Sequence, residues 1–144
     1  MLRLTSAAYV EMIGHAYDGL PDEACGLLGG RLGGAGAAGV AVVDVFVGCR
    51  NADASSRTYA IGPDGWRAAD EVLGPLGLEV VGVMHSHTHT TAYPSPTDVA
   101  KADNPLLAGW HYIIVSLSDD APMLRSYLME GNTITEEPVG QTGR

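Results

Sequence analysis

The chain has 144 residues and a formal net charge of −9, with 8 Lys and Arg against 17 Asp and Glu, and 46% of its residues are hydrophobic. This length suits a single domain with its own core and leaves no room for a second. The acidic balance argues against a nucleic-acid or anionic-membrane partner, because such partners attract a basic surface.

Cysteine use and hydropathy indicate the compartment. The two cysteines, Cys25 and Cys49, form no CxxC pair, and no stretch of the chain is as long and apolar as a membrane span. Glu11 and His15 interrupt the region where a signal peptide would be apolar. We therefore expect a reduced, cytoplasmic protein without a membrane partner.

The first predicted elements are a helix and a strand. Apolar residues recur three and four positions apart over residues 5–19, which predicts an amphipathic helix with Thr5 or Ser6 as its N-cap. Residues 23–30 are typical of a strand that begins at Glu23. Cys25 lies two residues further on and shares a strand face with Glu23. We interpret both cysteines as packing residues.

A glycine-rich segment follows, and residues 34–39 match the GxGxxG spacing of dinucleotide-binding loops. That motif must open a helix. Here it precedes residues 40–47, whose β-branched side chains predict a strand instead. We therefore reject nucleotide binding and expect a hairpin loop over residues 29–39.

The middle of the chain predicts a short strand and a second helix. Residues 57–61 are typical of an edge strand, which either binds an extended peptide by strand addition or is an inert edge. Pro63 opens the helix, and Gly74 and Pro75 end it. Its inward side is predicted to consist of Trp66, Ala69, Val72 and Leu73.

The segment with the strongest functional signal begins with a buried strand over residues 78–84, which ends in His85-Ser86-His87. Positions i and i+2 share one strand face about 7 Å apart, so two imidazoles there can converge on one metal ion. After a turn at Tyr93 and Pro94, Ser95 to Asp98 open a helix. An aspartate at this point can provide a third ligand.

Each half of this pattern also has an ordinary interpretation. A His-x-His pair alone is often part of a plain loop, and Ser95 with Pro96 and Asp98 is also a helix N-cap. The two interpretations of Asp98 are compatible, because the third residue of a helix beside the strand exit points towards that exit. Two histidines, one aspartate and an open position are typical of a hydrolytic zinc site.

Such a site also needs a carboxylate that takes a proton from water. Asp22 and Glu23 are both candidates, and the residues alone do not choose between them. His15 and His111 are interpreted as structural or surface residues. His89 is interpreted as a loop residue that lines the cleft.

The last part of the chain predicts three strands, over residues 111–117, 123–129 and 133–136. We expect a single domain over residues 1–137. Residues 138–144 are expected to be a polar, frayed tail.

The spacing of the functional segment resembles a known signature. His85-x-His87, seven residues and Ser95-x-x-Asp98, with an upstream glutamate, resemble the motif of the JAMM (MPN+) metallopeptidases. Glu-Ala-Cys-Gly at Glu23, His-Ser-His-Thr, and Ala-Tyr-Pro-Ser-x-Thr-Asp are similar to the bacterial members that trim sulfur-carrier proteins, the CysO-cysteine peptidases. The resemblance runs from residue 1 to about residue 137.

The resemblance implies the cytidine-deaminase-like JAB/MPN fold, an α/β (α+β) arrangement with a mixed sheet flanked by helices. It implies one Zn²⁺ per chain, held by His85, His87 and Asp98. Glu23 would be the catalytic base, and Ser95 would donate a hydrogen bond to the oxyanion.

The resemblance also implies a substrate and leaves alternatives. The substrate would be the C-terminus of a small ubiquitin-like sulfur-carrier protein, cleaved to release cysteine or to trim residues after Gly-Gly. The alternatives are an isopeptidase acting on ubiquitin-like conjugates and a metal-free MPN scaffold. The carrier, the residues that recognise it and the oligomeric state, a homodimer included, stay open.

Overall fold

The computed structural model describes residues 1–31 and 41–142. The glycine-rich residues 34–39 therefore lie outside the described residues, as does most of the predicted hairpin loop. In chain order the described elements are β1 (Leu2–Leu4), α1 (Ser6–Asp18), β2 (Cys25–Arg31), β3 (Ala41–Cys49), α2 (Pro63–Leu73), β4 (Glu79–His87), α3 (Pro96–Ala102), β5 (His111–Ser116), β6 (Met123–Glu130), β7 (Thr133–Glu137) and β8 (Val139–Gln141).

The described strands form one eight-stranded mixed sheet in the order β7-β6-β5-β4-β2-β3-β1-β8. β4 lies near its centre, antiparallel to β2 and parallel to β5. The parallel pair requires a crossover between β4 and β5, and α3 lies in that connection. This mixed sheet with flanking helices confirms the predicted α+β class.

Helices cover both faces of the sheet. Successive side chains of each strand point in opposite directions, so each strand contributes to a core on either face. Leu28 on β2 and Met84 on β4 are buried against α1 in one core cluster. Leu27 and Val83, their neighbours in sequence, belong to a second cluster with α2 and α3. Because β4 is buried on both faces, it appears in the sequence as a continuous apolar run, as expected for a central strand.

The helix starts follow ordinary capping chemistry. Thr5 caps α1, and its hydroxyl accepts a hydrogen bond from the backbone N–H of Ala8 at 3.2 Å. In α2, Ala69 and Leu73 are buried as predicted. Trp66 and Val72 are 39% and 43% exposed, so the prediction that both face inward is wrong. The described helices include none that is long and apolar enough to cross a membrane.

Residues 57–61 do not form the predicted edge strand. Only an isolated bridge joins Asn51 to Ile61. The Asn51 side chain replaces strand pairing: its amide donates to the carbonyl of Thr58 at 3.0 Å and its oxygen accepts from the N–H of Ala60 at 3.1 Å. A side chain thus satisfies the backbone groups that a strand partner would have paired.

The two ends of the chain are more ordered than the sequence analysis expects. Leu2–Leu4 form β1, which pairs in parallel with β3 on one side and with Val139–Gln141 (β8) on the other. Part of the expected frayed tail over residues 138–144 is therefore a strand. Both strands have three residues, which is too short for a periodic pattern, and their pairing partners are distant in sequence.

Buried hydrogen bonds join β5 to β7. Nδ1 of His111 donates to the Glu137 carboxylate at 2.6 Å, and the Ser126 hydroxyl donates to the same oxygen at 2.8 Å. Burial raises the pKa of Glu137, but these hydrogen bonds outweigh burial and hold the pKa below the usual 4.5. His111 is thus a structural residue, as predicted.

We expect His111→Phe to destabilise the fold by about 1.5–3 kcal/mol, because the buried Glu137 carboxylate loses the imidazole donor and keeps only the Ser126 hydroxyl and the terminal ammonium of Met1 at 3.4 Å. A depressed carboxyl pKa adds stability above the unfolded value, so this loss should shrink below about pH 4.5. Urea unfolding at several pH values measures it. The matched control is Arg125→Ala, which breaks the exposed pair with Glu136 at 2.7 Å and should have a much smaller effect, because solvent screens that pair. Equal effects of the two variants would contradict the expectation.

Candidate metal centre

Three buried side chains converge at the exit of β4. His85 and His87 lie on the same face of this strand, and Asp98 lies in the first turn of α3. Nε2 of His85, Nε2 of His87 and Oδ2 of Asp98 are each 3.1 Å from the other two. All three residues are at most 7% exposed. The strand alternation and the helix start therefore bring together the three predicted ligands.

The chemistry of these atoms fits a metal ion. Ligands of a tetrahedral zinc ion with bonds of about 2.0–2.1 Å lie about 3.3 Å apart, close to the observed triangle. Two imidazole nitrogens and one carboxylate oxygen are also a donor set that zinc accepts. Among the described residues, His85, His87 and Asp98 are the side chains whose ligand atoms lie close enough together to hold one metal ion.

The hydrogen bonds around Asp98 fix the position of its carboxylate. Ser95 is the N-cap of α3, and its hydroxyl accepts from the Asp98 N–H at 3.1 Å. In return, Oδ2 of Asp98 accepts from the Ser95 N–H at 2.9 Å, which completes a capping box. Asp98 therefore completes the cap with the same carboxylate oxygen that lies in the triangle, so the cap is compatible with the predicted ligand role.

The imidazole of His87 is oriented by the loop after β4. Nδ1 of His87 contacts the carbonyl of Thr91 at 2.7 Å, so this nitrogen is the donor. With Nδ1 as the donor, the Nε2 of a neutral His87 can offer its lone pair to a metal ion. His85 is held differently: its ring stacks on Tyr59 at 4.4 Å with an interplanar angle of 17°.

The three groups carry different charges in the absence of a metal. Burial lowers the pKa of His85. Burial also opposes the charge on His87, but its hydrogen bonds to Asp98 and Thr91 outweigh this effect and raise its pKa. For Asp98, hydrogen bonds from both histidines outweigh burial and hold the pKa well below its usual range. The centre thus keeps an anionic oxygen beside a neutral His85.

Glu23 lies beside this centre because of strand pairing. Cys25 pairs with His85 across β2 and β4, and the N–H of Ser86 donates to the Ala24 carbonyl at 2.9 Å. Glu23 precedes Ala24 and lies two residues before β2 begins, so the predicted strand starts two residues too early, but the same antiparallel register places Glu23 alongside His87. Its side chain is 5% exposed, and Oε1 has no hydrogen-bond partner among the described residues.

Burial raises the pKa of Glu23 to about 7, with opposing smaller effects from the charges of His87 and Asp98. A carboxyl group with such a pKa exchanges protons near neutral pH, which suits a general base. Asp22, the other candidate from the sequence, is only half-buried, whereas Glu23 is buried.

The comparisons with known proteins agree with this geometry. Residues 5–130 match the family described as prokaryotic homologues of the JAB domain. The chain belongs to this JAB family. This chain is 39% identical over 136 residues to the CysO-cysteine peptidase of Mycobacterium tuberculosis. The match covers 89% of this chain and 82% of the relative.

Solved structures show the same JAB fold. A solution structure of a Desulfitobacterium hafniense protein matches with a TM-score of 0.86 and 32% identity, over 100% of this chain and 94% of that one. A structure of JAMM, described as a metalloprotease-like zinc site in the proteasome and signalosome, matches with a TM-score of 0.55 and 17% identity, over 99% and 98% of the two chains. The second likeness supports the fold alone.

The other polar residues of this JAB domain lie outside the metal triangle. Nε2 of His15 donates to the carbonyls of Cys25 and Cys49, at 2.9 and 3.3 Å, and His15 is structural as predicted. Burial raises the pKa of the Cys25 thiol to about 12, which makes it unreactive. Both cysteines are buried and free. His89 is exposed in the loop after β4.

The sequence analysis did not predict that the loop over residues 51–61 encloses the metal triangle. The N–H of Glu23 donates to the Ser55 carbonyl at 2.8 Å, and the Asn51 amide donates to the Glu23 carbonyl at 3.0 Å. Tyr59 of the same loop is buried against His85, and Lys101 of α3 donates to its carbonyl. No local pattern in residues 51–61 announces these contacts, because they join segments distant in sequence.

Proposed function

We propose that this chain is a zinc-dependent peptidase that hydrolyses an amide bond at the C-terminus of a ubiquitin-like sulfur-carrier protein. The observation that carries the proposal is the buried triangle of His85, His87 and Asp98 with the proton-exchanging carboxyl of Glu23 beside it. This combination of a three-ligand metal group and a nearby carboxylate is the usual design of a hydrolytic zinc site.

His85, His87 and Asp98 would hold the ion and leave its fourth position open. Zinc bound there would lower the pKa of a water molecule from 15.7 towards about 7 and polarise the scissile carbonyl. Glu23 would accept a proton from the attacking water and deliver it to the leaving amine. Because Glu23 is buried, bulk water does not compete with its carboxylate for that proton.

The capping role of Ser95 leaves the hydrogen of its hydroxyl available for a second role. Its hydroxyl oxygen accepts from the Asp98 N–H, and a hydroxyl has one hydrogen to donate in addition. We assign that hydrogen to the oxyanion that develops at the scissile carbonyl. A donor at such a position contributes on the order of 10²–10³ in rate.

The names of the relatives support the substrate class. The curated relatives in Mycobacterium tuberculosis and Mycobacterium bovis are named CysO-cysteine peptidases, and this chain covers 82% of their length. We infer that the substrate here is also a sulfur carrier, cleaved after Gly-Gly. The complete donor set argues against the metal-free scaffold, and the compact chain favours a small carrier over ubiquitin conjugates.

The test is incubation of the zinc-loaded protein with a carrier extended by a few residues beyond Gly-Gly. We expect the intact mass of the carrier to fall by the mass of those residues, and zinc analysis to give about one ion per chain. Chelator-treated protein is the control: it should leave the carrier unchanged, and added zinc should restore cleavage. A zinc content near zero after purification without chelator, or an unchanged carrier mass, would refute the proposal.

A further inference from the structure

Lys101 is the only lysine of the chain, whose other basic side chains, apart from the histidines, are arginines. It lies on α3 three residues after Asp98, so the two side chains are neighbours on one helix face, with Cβ atoms about 5–6 Å apart. The single lysine is thus one helical turn from the third ligand of the metal triangle. The proposed mechanism makes no use of it.

Tyr59 holds the Lys101 ammonium at the metal centre. The ammonium donates to the Tyr59 carbonyl and lies 4.7 Å from the centroid of the Tyr59 ring. The same ring stacks on His85 at 4.4 Å. Burial has the largest effect on the pKa values of Glu23 and His85, and the Lys101 charge is a smaller effect that lowers both. Lys101 is therefore a positive charge of the centre and not a remote surface charge.

The present partners of Lys101 leave it able to bind an anion. An ammonium group has three N–H donors, and the Tyr59 carbonyl takes one of them. The Asp53 carboxylate is 3.8 Å away, beyond hydrogen-bond distance, and the two side chains are 39% and 38% exposed. Because such an exposed ion pair contributes little, another carboxylate can take the place of Asp53.

The charge balance of the centre gives Lys101 a use. The ionised carboxylates of Glu23 and Asp98 carry two negative charges, which balance the charge of one Zn²⁺ ion. A substrate that ends one residue after the scissile bond brings a further negative charge, its α-carboxylate. An unpaired charge in a buried centre is costly. Lys101 can supply the positive charge that compensates it.

We propose that Lys101 binds the α-carboxylate of the released residue, so that the enzyme removes a single terminal residue after Gly-Gly in preference to a longer tail or an isopeptide-linked protein. The inference rests on the proposed function. It chooses between two forms of that function, the release of one amino acid and the trimming of several residues. A cysteine at the end of a carrier, as in the name of the curated relatives, is such a residue.

The dimensions fit a leaving group of one residue. The scissile carbon must lie beside the metal triangle, and the carboxylate of the next residue is about one residue length from it, roughly 3.3–3.6 Å. A charge-assisted hydrogen bond to the ammonium adds about 2.7–2.9 Å. Lys101 lies in this range, because the Tyr59 ring contacts both its ammonium and the His85 imidazole, and its stem is flexible. Each further residue in the tail moves the carboxylate away by another residue length.

The first test compares two carriers that end in Gly-Gly-Cys and differ in one group, a free α-carboxylate or a carboxamide. We expect the wild-type kcat/KM to be about 10–100-fold higher for the acid. The difference should lie mainly in KM, because the ion pair forms before the transition state and persists in it. A tail of three residues after Gly-Gly should behave like the amide. Equal kcat/KM for the acid and the amide would overturn the assignment while the peptidase proposal stands.

Variants of Lys101 separate recognition from structure. Lys101→Met should lower kcat/KM for the acid to the level of the amide and leave the amide nearly unchanged, whereas Lys101→Arg keeps the charge and should keep most of the preference. The matched control is Arg57→Met, at an exposed position of the loop over the centre, which should keep the full preference. Equal losses for the two carriers in Lys101→Met would mean that Lys101 only supports Tyr59, and would overturn the proposal. A preference that is lost in Arg57→Met instead would also overturn it.

Amine labelling gives a reading that needs neither turnover nor a variant of Lys101. Because the chain has one lysine, acetylation by acetic anhydride followed by mass spectrometry reports on this ammonium, with the Met1 amine as the internal standard. The probe is an N-acetylated peptide that ends in Gly-Gly-Ser, in which serine avoids a bond between a thiol and zinc. Its acid form should slow the acetylation of Lys101 in zinc-loaded Glu23→Gln, and its amide form should not.

The labelling also separates the two proposals. If no carrier is cleaved, the proposed function fails, and the labelling alone then decides the role of Lys101. Equal acetylation of Lys101 in the presence of the acid and the amide peptide would overturn the assignment.

Discussion

Replacing Glu23 by Gln should lower kcat of the zinc-loaded protein by about 10²–10⁴-fold, the usual contribution of a general base. The amide has nearly the same shape as the carboxyl group but cannot take a proton from water. Zinc content should stay at about one ion per chain, because Glu23 is outside the triangle of His85, His87 and Asp98. Single-turnover kinetics with parallel metal analysis separates these two effects.

Asp22→Asn is the matched control for this variant. It makes the same chemical change one residue away, at a half-buried position before β2, and should leave kcat unchanged. If Asp22→Asn abolished turnover and Glu23→Gln did not, the base would be Asp22. If Glu23→Gln lost its zinc, Glu23 would be a ligand instead of a base.

Stability should move in the opposite direction from activity. Burial raises the pKa of Glu23 to about 7, so its ionised form costs folding free energy above the unfolded value of 4.5. A neutral Gln avoids that cost, and Glu23→Gln should resist urea at least as well as wild type at pH 8. A residue kept at the expense of stability is typical of a functional site.

The same carboxyl should produce the acid limb of the pH profile. Because the base must be ionised, wild-type kcat should fall as the pH drops through the pKa of Glu23. This pKa is about 7 in the metal-free protein, and the positive charge of zinc lowers it further, so the limb should lie below pH 7. The residual activity of Glu23→Gln should lack this limb.

The parts of the fold that the sequence predicted are those with a local period. Residues 78–84 showed the apolar run of a central strand, and the two-residue period of β4 placed His85 and His87 on one face. Ser95 and Asp98 were readable as a helix start because a capping box is a local signal. The metal triangle could therefore be expected from about fifteen consecutive residues, although the roles of its members came from the family resemblance.

The parts that could not be predicted depend on contacts between distant segments. The loop around Asn51 looked like a polar linker followed by a strand, but its hydrogen bonds to Glu23 and Thr58 give it an irregular path. Tyr59 reaches His85 only because of that path. The choice of Glu23 over Asp22 likewise came from the family resemblance, because residues 22–23 alone do not encode the burial that separates the two side chains.

Asp98→Asn should weaken zinc binding by at least about 10²-fold, because it replaces the one anionic ligand of the triangle by a neutral amide. The amide oxygen can still accept from the Ser95 N–H, so the start of α3 should survive. Ser95→Ala makes the converse change: it removes the hydroxyl cap at a cost of about 1 kcal/mol and leaves every ligand in place. Competition with a chromogenic chelator measures the affinity, and urea unfolding measures the stability.

The pH dependence of zinc affinity distinguishes wild type from Asp98→Asn further. Zinc must displace protons from His87, whose pKa is raised by its hydrogen bonds to Asp98 and Thr91 despite burial. Wild-type affinity should therefore fall as the pH drops below that raised pKa. In Asp98→Asn the anionic partner is gone, so the fall should begin at lower pH while the affinity at pH 8 is already reduced. An Asp98→Asn protein that bound zinc like wild type would mean that Asp98 is only a cap, and Ser95→Ala would then show the larger loss of stability.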